Sequence, residues 1–167
     1  PPEGLINKVR TLGQLVHLGS FQPKTVGRAP CQEVVLKGDD VDLFQLPIIK
    51  CWPMDAGRYI TLPLVISRDP ETGVQNYGTY RMQVFDGKTT GMHWQTHKVG
   101  THHYRISRQL GSSRMDVTVA LGGDPATIWT GSAPLPPDVD EMAMAGFLRK
   151  EGVELVKARN SGLLVPA

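Results

Sequence analysis

The 167-residue chain lacks several features that assign a protein to a class at once. It has no apolar run near the roughly 20 residues of a membrane helix and no basic-then-apolar leader. Its 18 basic residues are scattered among 16 acidic ones, which argues against a nucleic-acid surface. The two cysteines, Cys31 and Cys51, form no CxxC motif, which indicates reduced packing residues. We expect a soluble, cytoplasmic protein with no nucleic-acid partner and no integral membrane segment.

Motifs for the common catalytic and cofactor sites are missing too. The absence of GxGxxG and GxxxxGK[ST] argues against Rossmann and P-loop phosphate sites, and the absence of GxSxG argues against acyl transfer. His93 and His97 form an HxxxH pair, but no glutamate follows His93 and a strand is predicted there. A catalytic zinc site, as in a zinc hydrolase, is therefore a weak alternative.

Composition and pattern predict one mixed α+β domain preceded by a short lead-in. The chain is 40% hydrophobic and 20% charged, which suits a single core. We expect a helical lead-in over residues 1–22, with a helix at 5–18 that Gly19 stops, and the main domain over 23–167. Because the apolar end at 163–167 does not resemble a natural terminus, we expect a segment of a longer polypeptide.

Alternation, turn residues and helix caps predict the elements of the main domain. Strands are predicted at 33–36, 59–67, 74–85, 89–94, 115–121 and 153–158, and helical segments at 43–46, 101–110, 125–129 and 141–149. Asp124 and Asp140 are the predicted caps of the last two helices. Turns at 69–73 and 86–88 make three consecutive antiparallel strands, so we expect a sheet that curls into a barrel. In the second strand, Tyr80, Met82 and Val84 share one face, and Thr79, Arg81 and Gln83 share the other.

Two stretches, 76–81 and 91–97, place polar groups inside this apolar pattern. Burying such groups without a partner costs roughly 1–3 kcal/mol each, so their concentration indicates a ligand. Asn76, His97 and Glu141 together offer amide, imidazole and carboxylate donors that suit Mn²⁺ or Mg²⁺. Spacing leaves a structural interpretation open for each: a bulge residue, a loop residue and the first-turn acid of a helix.

Motifs along nearly the whole chain resemble those of the UbiD family of decarboxylases. The matching segments are Asn76-x-Gly78-x-Tyr80-Arg81, Leu46-Pro47-Ile48, Trp52-Pro53-x-Asp55-x-Gly57-x-Tyr59-Ile60-Thr61, Asp69-Pro70-Glu71-Thr72-Gly73, Leu121-Gly122-Gly123-Asp124-Pro125, Ala133-Pro134-Leu135-Pro136, Asp140-Glu141, Ala145-Gly146, Glu154-Leu155-Val156-Lys157 and Val165-Pro166-Ala167.

The resemblance implies a fold and a set of cofactors. The implied fold is an antiparallel split β-barrel of the flavin-reductase type with flanking helices. The implied cofactor is prenylated FMN, whose phosphate is held through Mn²⁺ and K⁺. By motif, the metal-binding positions are Asn76, His97 and Glu141. The cofactor-binding positions are Thr79, Tyr80, Arg81, His93, Trp94, Gln95, Lys98, Val99 and Ser132.

The implied activity is reversible non-oxidative decarboxylation of an aromatic or α,β-unsaturated carboxylic acid, with Arg81 as the catalytic residue close to the reacting centre. The family also implies a flavin prenyltransferase as cofactor supplier and a homo-oligomer for the full-length protein. Its proton-donating carboxylate follows the Val165-Pro166-Ala167 motif, so we expect this segment alone to be inactive. A non-catalytic flavin-binding or scaffold subunit of a multi-chain carboxylase is the alternative.

Overall fold

A computed structural model of the chain describes residues 19–136 and 139–167, so the helix predicted at 5–18 lies outside the described residues. The described part contains nine short strands and three α-helices. The strands are β1 (Lys24–Val26), β2 (Arg58–Ile60), β3 (Leu64–Arg68), β4 (Gln75–Thr79), β5 (Met82–Val84), β6 (Thr90–Met92), β7 (Thr118–Ala120), β8 (Glu154–Lys157) and β9 (Leu164–Pro166). The helices are α1 (Val99–Gln109), α2 (Pro125–Thr130) and α3 (Glu141–Arg149), with 3₁₀ turns at Pro30–Gln32, Gly38–Asp40 and Leu43–Gln45.

The strands form three sheets of three strands each, in the orders β1-β8-β9, β2-β5-β6 and β4-β3-β7. All pairs are antiparallel except β1 with β8. The mixed α+β class is therefore confirmed, but these orders show no closed sheet within the described residues. The barrel was expected because residues 74–85 read as one strand. In the structure that run divides at Tyr80 and Arg81, so β4 pairs with β3 while β5 pairs with β2 and β6.

The remaining elements follow the predictions closely, with a few corrections. The hairpin turn at 69–73, the turn at 86–88 and both aspartate caps are confirmed. The strand predicted at 59–67 divides around the buried Pro63, which has no N–H for a ladder. The strand predicted at 33–36 is wrong, because no strand pairs with these residues and Val34 is 80% exposed.

The cysteines also differ from the prediction. Cys31 and Cys51 are both free, as expected, but both are exposed and neither packs in the core. Among the helices of the described residues, none has the length and apolar character needed to cross a bilayer.

The β3–β4 hairpin lies between two packed clusters. One face of the hairpin carries Leu64, Ile66 and Tyr77, which pack in the larger cluster with residues of α3, β8 and β9. The opposite face carries Val65 and leads into Tyr80, which pack with Met82 in the smaller cluster. Helix α1 contacts both strands of the hairpin. We call these the α3 face, which bears Leu64, Ile66 and Tyr77, and the α1 face, which bears Val65, Ser67, Asn76 and Gly78.

Candidate functional site

The candidate site is built around β4 and the two residues that follow it. In the sheet order β4-β3-β7, β4 is an edge strand, so every second backbone amide points away from β3. The Thr79 amide donates to the Gly131 carbonyl at 2.9 Å, and the Ser132 hydroxyl donates to Thr79 Oγ1 at 3.0 Å. Residues 130–132 are thereby joined to the strand that carries the Asn76 motif.

Asn76 is buried on the α1 face, and its side-chain nitrogen has no partner. Its exposed fraction is 8%, and Nδ2 makes no hydrogen bond to any residue that the structure describes. The structural interpretation of Asn76 as a turn or bulge residue does not hold, since it lies in regular pairing with Ser67 of β3. A buried amide without a partner costs roughly 1–3 kcal/mol, which makes this position a candidate for binding a ligand.

Glu141 lies at the first position of α3, close to the same strand. Asp140 caps the helix by accepting from the Met142 and Ala143 amides at 2.7 and 2.8 Å. Burial raises the pKa of the Glu141 carboxyl, while its own amide and the Tyr77 amide act in the opposite direction. Because Tyr77 follows Asn76, the Glu141 carboxyl lies at the edge of β4 one residue along the strand from Asn76.

His97 is placed differently from the other two predicted metal ligands. It is exposed in the turn that precedes α1. In the described residues, no hydrogen bond or ion pair joins His97 to Asn76 or Glu141. The structure thus brings Asn76 and Glu141 to one strand, and it leaves the shared metal site with His97 as a prediction.

Tyr80 and Trp94 form an aromatic wall next to this strand. Their ring centroids lie 6.2 Å apart in an edge-to-face arrangement. The Tyr80 hydroxyl accepts from the Gly100 amide at 3.0 Å, which fixes the start of α1 against the β4–β5 segment. Trp94 Nε1 is buried and has no hydrogen-bond partner among the described residues. It is a second unused donor near the predicted cofactor positions.

Arg81 and His93 line an open groove of about 290 Å³ on the sheet β2-β5-β6. The other lining residues are Tyr59, Gln83, Phe85, Gly91 and Met92. The Arg81 guanidinium lies 4.9 Å from the centroid of the Tyr59 ring, and the His93 amide donates to the Arg81 carbonyl at 2.9 Å. Gly91 leaves room for the Phe85 ring beside the groove, since a Cβ at this position would lie 2.5 Å from that ring.

The three remaining predicted cofactor residues lie in or near the turn before α1. Gln95 is exposed, and its carbonyl accepts from Lys98 and from the Thr101 hydroxyl. Lys98 is the N-terminal cap residue of α1, and Val99, 47% exposed, is its first residue. This turn presents its side chains to solvent.

Three residues of this region were not predicted to have a role at the site. Ser67 and His103 form a buried hydrogen bond of 2.9 Å on the α1 face, and Tyr59 stacks under Arg81. Burial lowers the pKa of His103, against the charge of Asp69, which raises it. The turn at 69–73 contained the necessary signal, because a hairpin closed there pairs Ser67 with Asn76.

Comparison with known protein families assigns most of the chain to one of them. A family model described as UbiD, the 3-octaprenyl-4-hydroxybenzoate carboxy-lyase Rift-related domain, matches residues 24–167. The chain belongs to the UbiD family. An uncharacterized protein of Archaeoglobus fulgidus is 50% identical to this UbiD chain over 166 residues, which are 99% of the chain and 34% of the relative.

Solved UbiD-class structures share the fold. HmfF from Pelotomaculum thermopropionicum, in complex with FMN, matches with a TM-score of 0.81 and 29% identity over 92% of this chain and 36% of that one. An evolved dimeric form of HmfF, in complex with prFMN, matches with a TM-score of 0.80 and 29% identity over 92% and 37% of the two chains. The chain therefore spans about a third of the length of the relatives it matches.

The described residues fit the groups that the family implies. Carboxamide and carboxylate oxygens, such as those of Asn76 and Glu141, suit a hard divalent cation. The unpartnered Nδ2 of Asn76 and Nε1 of Trp94 are buried donors of the kind that a bound polar group would satisfy.

Proposed function

We propose that this chain is the cofactor-binding part of a reversible, non-oxidative decarboxylase. Its substrate is an aromatic or α,β-unsaturated carboxylic acid, and its cofactor is prenylated FMN, held through Mn²⁺ and K⁺. The observation that carries the proposal is the buried Asn76 carboxamide, whose Nδ2 is unpartnered on the strand that Glu141 approaches. The family match gives this pair its context.

Asn76, His97 and Glu141 would hold the divalent ion. The ionised carboxylate of Glu141 would offset part of the cation charge, and the cation would in turn favour the ionised form that burial disfavours. His97 is exposed and lies in a turn, so it would join the pair by a local movement of that turn. Residues 130–133, which are bonded to Thr79 through Gly131 and Ser132, would line the phosphate and K⁺.

The flavin would lie along Thr79, Tyr80 and Arg81, with His93, Trp94, Gln95, Lys98 and Val99 on the neighbouring strand and turn. When bound, prenylated FMN supplies the electron sink for the carbanion left by loss of CO₂. Arg81 would orient the substrate carboxylate, because its planar guanidinium forms paired hydrogen bonds and stays charged at neutral pH. Stacking on Tyr59 restricts the guanidinium plane, which favours one orientation of the acid.

Proton return to the product requires an acid that the Arg81 groove does not contain. The residues that line this groove include no Asp or Glu. We therefore propose that a carboxylic acid from outside this chain completes the site. We also propose that the full-length protein is a cytoplasmic homo-oligomer and that a flavin prenyltransferase supplies its cofactor.

The test is direct measurement of cofactor binding. The chain is co-expressed with a flavin prenyltransferase, purified, and assayed for flavin by visible absorbance and for metal by elemental analysis. We expect flavin and Mn²⁺ in the wild-type chain, and at least about a tenfold loss of Mn²⁺ affinity in Asn76→Ala and Glu141→Ala, since even indirect partners of metal ligands contribute 10–100-fold. The exposed residues Asn160 and Glu151 provide matched controls as Asn160→Ala and Glu151→Ala.

The outcomes separate the possible functions. Flavin and Mn²⁺ bound without CO₂ release support the incomplete site proposed here, and decarboxylation by the isolated chain would contradict it. Retention of both groups by Asn76→Ala would refute the metal site. Absence of flavin from the wild-type chain would favour the scaffold subunit instead, and bound Zn²⁺ in place of Mn²⁺ would favour a hydrolase.

A further inference from the structure

Ser67 and His103 form a buried polar pair that the proposed chemistry does not use. Ser67 Oγ lies 2.9 Å from His103 Nδ1, with exposed fractions of 1% and 4%. Ser67 belongs to β3, and His103 lies in the middle of α1. Helix α1 contacts both β3 and β4, so the imidazole is packed against the α1 face of the hairpin.

This pair lies next to Asn76. Ser67 and Asn76 are direct partners in the antiparallel register, so their side chains point to the same face of the sheet. Directly opposed residues have Cβ atoms about 4.5–5.5 Å apart, which allows their side chains to interact. The one side-chain nitrogen of Asn76, Nδ2, is a buried donor that lacks a partner in the described residues.

The hydrogen-bonding capacities of the three side chains are complementary. Burial lowers the pKa of His103 and so favours its neutral form, in which one ring nitrogen accepts. With the proton on Nε2, Nδ1 accepts from the Ser67 hydroxyl. A serine oxygen that donates one hydrogen bond still has two lone pairs. These lone pairs would accept a hydrogen bond from the carboxamide nitrogen of Asn76, Nδ2.

We propose that Ser67 and His103 are positioning residues for Asn76 in the metal site, an inference that rests on the proposed function. In the loaded protein, Asn76 Nδ2 donates to Ser67 Oγ, and Ser67 donates to His103 Nδ1. This chain of hydrogen bonds selects one of the two orientations of the carboxamide, because only the orientation with Nδ2 toward Ser67 turns Oδ1 toward the cation. A cation binds the carboxamide oxygen and repels the amide N–H. Fixing the carboxamide in this orientation therefore raises the affinity for the cation.

Ser67→Ala and His103→Leu test the positioning role through Mn²⁺ affinity of the flavin-free chain. We expect the Kd for Mn²⁺ to rise about 10–100-fold in both variants, the usual effect of losing a partner of a metal ligand. Ser67→Thr keeps the hydroxyl and should retain most of the affinity. The matched control is Ser161→Ala, which removes a different side-chain hydrogen bond of 2.6 Å to Thr118. We expect its Kd to equal that of the wild type.

If Ser67 and His103 only stabilised the fold, their variants would lose stability and keep the Mn²⁺ affinity of the wild type. Urea unfolding is measured on every variant, and Mn²⁺ titrations are carried out where each is folded. Equal Mn²⁺ affinity for Ser67→Ala and wild type would overturn the positioning role, while loss of affinity in Asn76→Ala would show that the proposed metal site stands. If Ser67→Ala does not fold, the Kd for Mn²⁺ of His103→Leu is compared with that of Ser67→Thr. Equal values would overturn the positioning role. Failure of the wild-type chain to bind Mn²⁺ would overturn both the proposed function and this inference.

Discussion

The β3–β4 hairpin has two faces of different chemistry. Its α3 face packs Leu64, Ile66 and Tyr77 in the larger cluster, and the Tyr77 hydroxyl donates to the Leu164 carbonyl and accepts from the Gln75 side-chain amide. Its α1 face places Ser67, His103 and Asn76 in the interior, and the Asn76 nitrogen is left without a partner. The same two strands therefore pack tightly against the core on one side and carry an unsatisfied buried polar group on the other.

The largest expected effect tests the α3 face. Ile66 is fully buried in the larger cluster, so Ile66→Ala removes packed methyl groups and leaves a cavity. We expect the free energy of unfolding to fall by about 2–5 kcal/mol in urea denaturation. Leu62→Ala is the control, because a side chain that is 62% exposed should change the value by less than about 0.5 kcal/mol. A small loss in Ile66→Ala would mean that this face does not carry the stability of the hairpin.

The second prediction compares one tyrosine from each side of the hairpin. Tyr80→Phe removes the acceptor of the Gly100 amide, which lies in the first turn of α1 and has no helical carbonyl to bond. We expect the free energy of unfolding to fall by about 1–3 kcal/mol. Tyr77→Phe leaves the Leu164 carbonyl bonded to Gln75 Nε2 at 3.0 Å. The free energy of unfolding should therefore fall by less than about 1 kcal/mol in Tyr77→Phe. Urea unfolding of the two variants measures the contrast, and equal losses would contradict it.

The third prediction concerns the cap that holds Glu141 at the start of α3. Asp140→Ala removes the acceptor of the Met142 and Ala143 amides and should lower the free energy of unfolding by about 1 kcal/mol. The exposed residue Asp116 gives the control as Asp116→Ala, for which little change is expected. Thermal or urea unfolding checks both variants. No loss in Asp140→Ala would show that packing alone positions the helix.

The smallest expected effect is the pH dependence of stability that His103 causes. Its pKa is lowered in the folded protein, so the unfolded chain binds a proton more readily. The associated stability is present above the unfolded pKa of about 6.5 and is lost as pH falls toward the folded value. The effect is small because the negative charge of Asp69 opposes burial, although His102 adds to it.

His103→Asn removes this titration. We expect wild type to lose more free energy of unfolding than His103→Asn between pH 7 and pH 5.5, measured by urea denaturation at each pH. Parallel pH profiles for the two proteins would show that His103 does not titrate differently in the folded state. Together with Ser67→Ala, this measurement separates the contribution of the α1 face to stability from its contribution to metal binding.

Local signals predicted much of the fold. The Asp69-Pro70-Glu71-Thr72-Gly73 turn placed the hairpin correctly, because Asp69 accepts from the Glu71 and Thr72 amides and Gly73 adopts a positive φ of 76°. Asp124 and Asp140 capped helices where predicted. Period-two alternation assigned Met82 and Val84 to the interior and Arg81 to the exterior.

Errors arose where the outcome depends on a distant partner. Residues 33–36 have high strand propensity, but propensity does not supply a neighbouring strand, and none pairs with them. The run 74–85 was predicted as one strand, yet its two halves pair in different sheets. The exposure of Cys31 and Cys51 likewise depends on which surfaces other segments cover.

The sequence by itself determined the turns, the helix caps and the family, because these depend on residues close together in the chain or on motifs that are read in order. Only the tertiary structure decided which polar groups meet. It paired Asn76 with Ser67, whose hydroxyl is hydrogen-bonded to His103. It also brought Glu141 toward Tyr77 and left His97 in an exposed turn. The physical reason is that strand register and helix packing are set by burial summed over many distant residues, and no local pattern contains that sum.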